Sequence, residues 1–418
     1  MSGTRPIRDV ATDLVRHLQQ SGHEAYFVGG CVRDQLLGLE PAEYDIATDA
    51  GPDRIQELFP GSHLVGASFG VVLVRRHGHT IEVATFRSEG TYSDHRRPDT
   101  VMFCDRSGDV RRRDFTVNGI FHDPVAGTEY DRFDGKSDLQ RGILRAIGNP
   151  VERFEEDHLR MLRAVRFAAR FGFEIESATA DAVRSQSGNL AGVSRERVGG
   201  EIRRMAAEGD WHAAVDLMRD LDLEVSVLGG SHSSGEWLHC RHLESESERE
   251  VDRHPAALVA WLIDRGDLDP SAPDSSRLDE VGDRLVSSNQ EREAIRSIAR
   301  CLGELAQWER LAVAARKRLA SSPGFPWAVL LLGATEGERA GGIASDVQIL
   351  AVSGLRPTPL INGDSLIQAG MQPGPRFAGL LDTVYDAQLE GRISTPEEAL
   401  GIAQKLYRAS DSGKKHDS

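Results

Sequence analysis

At 418 residues the chain is long enough for two to four domains, and 39% hydrophobic with 28% charged residues is ordinary globular composition, without a run long enough to be a membrane helix. A net charge of −15 excludes indiscriminate nucleic-acid binding, so an RNA partner needs a local basic stripe. Four scattered cysteines form no Cys-x-x-Cys pair, and the N-terminus lacks a signal-peptide core. Together these argue against a zinc site or disulfide framework and for a reducing, cytoplasmic setting.

Val10, Leu14, Val15 and Leu18 recur at helical spacing and predict a first helix over 6–22. Residues 26–28 (Tyr-Phe-Val) read as a short buried strand, Gly29 and Gly30 as a turn, and 31–37 as a helix. A glycine turn lets backbone approach a ligand, and the following helix start offers N–H groups to an anion such as a triphosphate. A second strand carries Glu43 and Asp45, which at a spacing of two point to one side. Two carboxylates on one face beside a phosphate-binding turn suit a divalent metal that bridges protein and nucleotide. Taken singly, a Gly-Gly pair is usually only a turn and two spaced acids only a solvated edge; their order and spacing are what argue for function.

A turn and helix follow over 48–58, with Pro52 in the first turn. Residues 63–75 read as a strand with glycine turns, Gly78 as a hairpin, and 80–86 as the returning strand. Glu82 is the only charge inside that strand, so it is either an edge position facing water or a functional acid. Residues 87–99 are polar and read as a mobile loop over the site. Arg111, Arg112 and Arg113 abut Asp114, with Asn118 four residues on, expected to share a helix face. Residues 131–148 read as a strand-and-turn hinge.

From Pro150 the pattern turns helical, with one long helix over 151–171 stopped by Gly172. It carries Glu156, Asp157, Arg160, Arg163 and Arg166, and the spacing of three puts Asp157 and Arg160 on one face. Such a pair is either a helix-stabilising ion pair or a base reader. Cytosine and adenine both present an amino donor beside a ring-nitrogen acceptor. A carboxylate and a guanidinium satisfy that edge, whereas uracil and guanine leave both unpaired, at about 1–3 kcal/mol each. Residues 193–205 read as a helix with Ser194 as N-cap. Beyond 223 the chain stays helical, with linker-like composition at 229–235 and 267–276. Near the end, the Pro-Gly turn at 370–375 joins two helices, either as a plain connection or as a contact to RNA phosphate. A last helix is expected over 397–407 and disorder beyond it.

The run Gly29-Gly30-x-x-Arg33-Asp34 with an acid-x-acid pair resembles the nucleotidyltransferase head of the tRNA CCA-adding enzyme and bacterial poly(A) polymerase family. So does Arg112-Arg113-Asp114-Phe115-Thr116-x-Asn118, and so does Glu156-Asp157-x-x-Arg160. The family has Asp-x-Asp where this chain has Glu43-Tyr44-Asp45. The resemblance implies an α+β fold: a nucleotidyltransferase head with a small mixed β-sheet (1–148), a helical neck with the base-reading helix (149–225), a helical body (226–345), a helical tail with possible tRNA contact (346–408) and a disordered end (409–418). It implies CCA addition to tRNA from CTP and ATP, with Mg2+ in a two-metal site held by Glu43 and Asp45. Glu82 would be the third acid, orienting the attacking hydroxyl. Gly29, Gly30 and Arg33 would carry the triphosphate. Arg112, Arg113 and Asp114 would position ribose and phosphates, with Asn118 supporting them. Asp157 and Arg160 would choose the base, Arg163 and Arg166 would add nucleotide contacts, and Glu196 and Arg197 would buttress the base-reading helix. Asp134-Gly135 would be the head's flexible segment. Poly(A) synthesis, partial CC or A addition, and non-catalytic tRNA binding are the alternatives. No membrane, DNA or particular protein partner is implied.

Overall fold

The computed structural model describes residues 5–65, 70–90, 101–230, 235–246 and 252–412; residues 66–69, and 91–99 of the loop expected over the site, lie outside them. The chain forms two compact units, residues 1–232 with 284–286 and residues 233–283 with 287–418.

In the first unit, α1 (Ile7–Gln20) buries Val10, Leu14, Val15 and Leu18 as their spacing requires. Then come β1 (Ala25–Val28), α2 (Gly30–Leu36), β2 (Asp45–Thr48), α3 (Pro52–Leu58), β3 (His63–Val65), β4 (Val71–Arg76) and β5 (His79–Thr85). They continue into a ribbon of β6 (Arg87–Glu89) and β7 (Val101–Phe103), then α4 (Arg106–Arg111), β8 (Phe121–Asp123), β9 (Thr128–Tyr130), α5 (Gly135–Arg141) and β10 (Ile143–Leu144). The order β3-β4-β5-β2-β1-β8-β9 makes one seven-stranded mixed sheet, in which only β2 and β5 pair in parallel. His77 and Gly78, at φ 51° and 84°, close the β4–β5 hairpin in the left-handed conformation that suits strand twist. Val28, Ala47, Phe86, Val110, Phe121 and Ile147 form the core on one side of the sheet.

Several local expectations change. Glu43 precedes β2 rather than lying in it: the β1–β2 ladder ends at Val28↔Asp45 because the opposite strand turns away at Gly29. Glu82 lies on an interior strand, not an edge, yet is exposed on an uncovered stretch of the sheet face. The shared helix face expected of Asp114 and Asn118 does not form: α4 ends at Arg111, and only Thr116–Asn118 make a single 3-10 turn. Asp114 to Thr116 instead join the strand-like return of the chain: Ile147 N donates to Asp114 O (3.0 Å), Thr116 N to Arg145 O (2.9 Å), and Phe115 bridges Ala146. The hinge expected over 131–148 contains α5, whose start is capped by the Asp131 carboxylate on Gly135 N (2.8 Å) and Lys136 N (2.9 Å). A Cβ on Gly135 would strike Thr116 O at 2.2 Å, so only glycine fits.

The long helix over 151–171 is two: α6 (Pro150–Glu156) and α7 (Leu159–Phe171), broken at Asp157, which is extended (φ −149°, ψ 101°). Its carboxylate takes Leu159 N (3.1 Å), the competition with helical bonding typical of aspartate. Next are β11 (Glu174–Ile175), which pairs in parallel with β10, and α8 (Ser177–Gln186), α9 (Arg195–Glu208), α10 (Trp211–Asp220) and α11 (Glu224–Leu228). Ser194 stands at the N-cap of α9 without a capping side-chain bond.

Beyond 235 the described residues contain helices and no strand: α12 (Leu238–Glu246), α13 (His254–Asp264), α14 (Ser275–Arg284), α15 (Asn289–Leu305), α16 (Val313–Ala320), α17 (Phe325–Gly333), α18 (Gly337–Val352), α19 (Gly363–Gln368), α20 (Arg376–Leu389) and α21 (Pro396–Ser412). The last three share a core of Leu366, Val384, Ala399 and Ala403. Because α21 runs to Ser412, the stretch expected to be disordered from 409 begins as helix; extending a formed helix by a turn costs little. Among the described residues no helix is long and apolar enough to cross a membrane.

Candidate active site

The sheet's parallel pair puts the acids together. Asp45 opens β2 in direct register with Glu82 on β5, and parallel neighbours in register share a face. Glu43, just upstream, is exposed and lines the same cleft as Asp45. Burial, the adjacent Glu82 and the more distant Glu43 push the Asp45 carboxyl up to about 6, against the pull of Arg113. Negative charge is therefore crowded at this end of the cleft, with one partly compensating cation.

Gly29 turns in the left-handed region (φ 72°), and a Cβ there would lie 3.4 Å from Arg113 Nη1. With only seven residues in α2, the helix dipole is short, and arginines from other elements supply most of the positive field. Arg113 is one of them. Its Nε and Nη2 donate to Asp109 Oδ2 (3.3 and 2.9 Å), and its guanidinium stacks on Phe121 (4.9 Å). Arg112 is not a lining residue: its side chain is drawn to Asp109 Oδ1 (2.8 Å). Arg33 lines the cleft but is only 4% exposed. It donates to Asp34 (2.6 and 2.8 Å) and Asn118 Oδ1 (2.8 Å) and stacks between Phe167 (5.0 Å) and Phe171 (4.6 Å). So held, Arg33 ties α2 to α7 as well as facing the cleft.

Asp114 is the junction of the two halves. It takes Asn118 Nδ2 (3.0 Å) and Phe115 N (2.8 Å) on Oδ1, and Arg163 Nη2 (2.7 Å) and Nε (2.9 Å) on Oδ2. Burial opposes its charge, but Arg163 and these bonds outweigh burial and hold the carboxyl well below the usual range.

Asp157 and Arg160 do not pair with each other as one helix face would have them do. Asp157 Oδ2 takes Arg197 Nη2 (2.7 Å). Arg160 donates to Glu156 (2.6 Å), Arg153 O (2.9 Å) and Arg112 O (3.0 Å). Those bonds use three of a guanidinium's five N–H groups, and each Asp157 oxygen keeps a second lone pair. Both side chains thus retain capacity for a base edge while being fixed in place. Arg166 is locked onto Glu201 (2.7 Å), whose side chain is 1% exposed, and reaches Glu208 (3.3 Å). Arg197 buttresses as expected of its position; Glu196 is exposed.

These residues meet in a single cleft of about 670 Å³. It brings together Gly29, Gly30, Arg33, Glu43, Asp45, Arg113, Asp114, Asn118, Asp157, Arg160, Arg163 and Arg166; Glu82 and Arg112 are not among its lining residues, though Glu82 pairs in register with Asp45. Arg170, Arg197, Glu201, Arg204, Glu208 and Phe167 also line it, and Asp109 anchors it, though sequence reasoning named only Arg197 among them. Two were visible in principle. Glu201 interrupts the apolar stripe of Val198, Ile202 and Met205, and Asp109-x-x-Arg112-Arg113 puts one acid beneath two bases on a helical turn. Arginines outnumber carboxylates in the lining, so a chain of net charge −15 keeps a positive cleft with a cluster of acids at one end.

Guanidinium groups along a cleft with carboxylates at one end suit a nucleoside triphosphate, and the relatives of this chain make it a nucleotidyltransferase. Residues 25–145 match the family described as poly A polymerase head domain, and residues 172–227 the one described as probable RNA and SrmB-binding site of polymerase A. The CCA-adding enzyme of Levilactobacillus brevis is 31% identical over 411 residues, covering 94% of this chain and 97% of its own. That of Geobacillus kaustophilus is 31% identical over 428 residues, covering 95% and 96%. The crystal structure of the Bacillus stearothermophilus CCA-adding enzyme in complex with CTP superposes with a TM-score of 0.79 at 25% identity, over 98% of this chain and 100% of that one. The chain belongs to the CCA-adding enzyme family.

Proposed function

We propose that the protein rebuilds the 3′ end of tRNA without a nucleic-acid template, transferring CMP and then AMP from CTP and ATP and releasing pyrophosphate. The observation that carries this reading is the joint lining of one cleft by the Glu43–Asp45 acids, the Gly29 turn with Arg113, and the fixed Asp157 and Arg160. The triphosphate lies along Gly29, Gly30 and Arg113. Asp114 and Asn118 hold the ribose side in place through Arg163 and Arg33. Asp157 accepts from the amino group of cytosine or adenine while Arg160 donates to the ring nitrogen, so the protein itself supplies the pairing edge. Glu82 orients the 3′-hydroxyl of the RNA.

The donor set fits a hard divalent cation: the acids are oxygen ligands, and burial, with repulsion from Glu82 and Glu43 added to it, already raises Asp45 to about 6, a penalty on the carboxylate that a cation relieves. Glu43 and Asp45 would hold Mg2+ at a two-metal site; glutamate in place of the usual aspartate still offers a carboxylate oxygen. When bound, the ions lower the pKa of the attacking hydroxyl and stabilise pyrophosphate as leaving group.

The domain assignment (head 1–148, neck 149–225, body 226–345, tail 346–408 with tRNA contact) belongs to the same proposal. So does a cytoplasmic setting, supported by four free cysteines, three of them buried.

The test is incorporation of radiolabelled CTP and ATP, with Mg2+, into tRNA truncated before each of its last three positions. Stopping at the completed CCA end supports the reading. A long ladder supports poly(A) synthesis, addition of only C or only A a partial enzyme, and no product a binding protein.

A further inference from the structure

Asp109 has no part in the function as read so far, and its surroundings are unusual for a carboxylate. It is fully buried, at 0% exposure, in the last turn of α4. A buried aspartate survives only with charged partners. Here there are two: Oδ1 takes Arg112 Nε (2.8 Å) and Oδ2 takes Arg113 Nη2 (2.9 Å) and Nε (3.3 Å). Oδ1 also accepts the backbone N–H of Arg87, the first residue of the β6–β7 ribbon (3.2 Å). One carboxylate between two guanidiniums leaves a net positive charge. Its outlet is set by geometry. Arg113 is gripped through Nε and Nη2, which leaves Nη1 at the opposite edge of the planar guanidinium, the atom that a Cβ on Gly29 would meet at 3.4 Å. The Phe121 ring beneath the guanidinium, at 4.9 Å, restrains the remaining rotation.

We propose that Asp109 is a positioning residue for the incoming nucleotide: it clamps Arg113 from the side away from the cleft and so aims Nη1 at the Gly29 turn, where the triphosphate is received. This rests on the nucleotidyl-transfer reading above. An unclamped arginine would have another destination close by, since Asp45 already draws on its charge, and Arg112 and Arg113 would repel each other once their shared anion was gone. Asp109 acts on the triphosphate, common to all NTPs, and not on the base, which meets Asp157 and Arg160.

The experiment compares wild type, Asp109→Asn, Arg113→Ala and the double variant in the full chain. Equilibrium dialysis with radiolabelled CTP and ATP measures binding; incorporation into truncated tRNA measures kcat and KM. Asp109→Asn is expected to weaken CTP and ATP alike, by about tenfold in Kd and KM, as loss of a charge-assisted clamp does. The CTP-to-ATP preference stays within about twofold, and the double variant binds no worse than Arg113→Ala, because the clamp has nothing left to hold. Unchanged Kd, or effects of the two substitutions that multiply, overturns the inference and assigns Asp109 to packing. Should Asp109→Asn fail to fold, Asp109→Glu keeps the charge and displaces it by one methylene; weakened binding of both nucleotides supports the clamp, and wild-type Kd overturns it. If wild type binds nucleotide but transfers none, the nucleotidyl-transfer reading falls while the dialysis comparison still decides on the clamp.

Discussion

Replacing Asp114 with Asn keeps the shape of the side chain and removes its charge. Asn118 and Phe115 can still donate to Oδ1, but the group that faced Arg163 becomes an amide N–H2, donor against donor. Removing one partner of a fully buried ion pair costs about 3–5 kcal/mol. The Arg163 side chain is 31% exposed, so water recovers part of its solvation, and the expected loss is about 2–3 kcal/mol. Hydrogen exchange of the amides in α7 reads this locally: at 1.4 kcal/mol per factor of ten, their opening becomes roughly 30- to 140-fold more frequent at pH 7. The pH dependence gives an independent check. The native carboxyl is held below its usual value, so the pair's contribution is fully present above the unfolded carboxyl's pKa of about 3.9 and is lost as pH falls toward the native one. Wild type and Asp114→Asn therefore converge in acid. A difference under about 1 kcal/mol at pH 7, or one that persists unchanged to pH 3, would refute the claim that Asp114 joins the sheet side of the cleft to α7 by charge.

Four further outcomes are expected. Asp45→Asn abolishes CMP and AMP incorporation yet raises thermal stability, by up to about 2 kcal/mol, because burial and Glu82 oppose the native charge; a destabilised variant contradicts the repulsion. Saturating Mg2+ raises the melting temperature of wild type and not of Asp45→Asn, and equal shifts in both would move the cation elsewhere. Incorporation falls as pH drops below about 6, where protons compete for Asp45, and excess Mg2+ shifts the midpoint lower; a midpoint insensitive to Mg2+ argues for a different titrating group. Glu201→Gln leaves a guanidinium whose side chain is 7% exposed with the longer Glu208 contact as its remaining ion pair, costing about 2–3 kcal/mol in a thermal melt, and a change under about 1 kcal/mol would show that Glu208 suffices for Arg166.

The sheet elements and the acids were legible because their signals are local. Short apolar runs between glycine turns placed β1, β4 and β5, Gly78 announced a hairpin, and an isolated Glu82 in an apolar strand marked itself as unusual, whereas the short β8 and β9 went unread. The α7 misreading has an equally local cause. Residues 151–171 keep an apolar rhythm across Asp157, and nothing in that rhythm shows that aspartate will prefer to cap the next helix; its bond to Leu159 N and its partner Arg197 settle the matter. The spacing of Asp114 and Asn118 also looked helical, but backbone pairing with Ala146 and Ile147 prevailed over local preference.

By itself the sequence determined the class of fold and the family, and it named most of the acids and arginines that line one cleft, since these depend on residue type and short spacing. Only the tertiary structure decided who holds whom: Asp157 with Arg197 instead of Arg160, Asp114 with Arg163, Arg166 with Glu201, and Asp109 beneath Arg112 and Arg113. The reason is that a guanidinium in a crowded cleft chooses its carboxylate by distance and burial. Of these pairings, Asp114–Arg163, Asp157–Arg197 and Arg166–Glu201 cross 35 to 49 residues of chain, a separation that no periodicity can register.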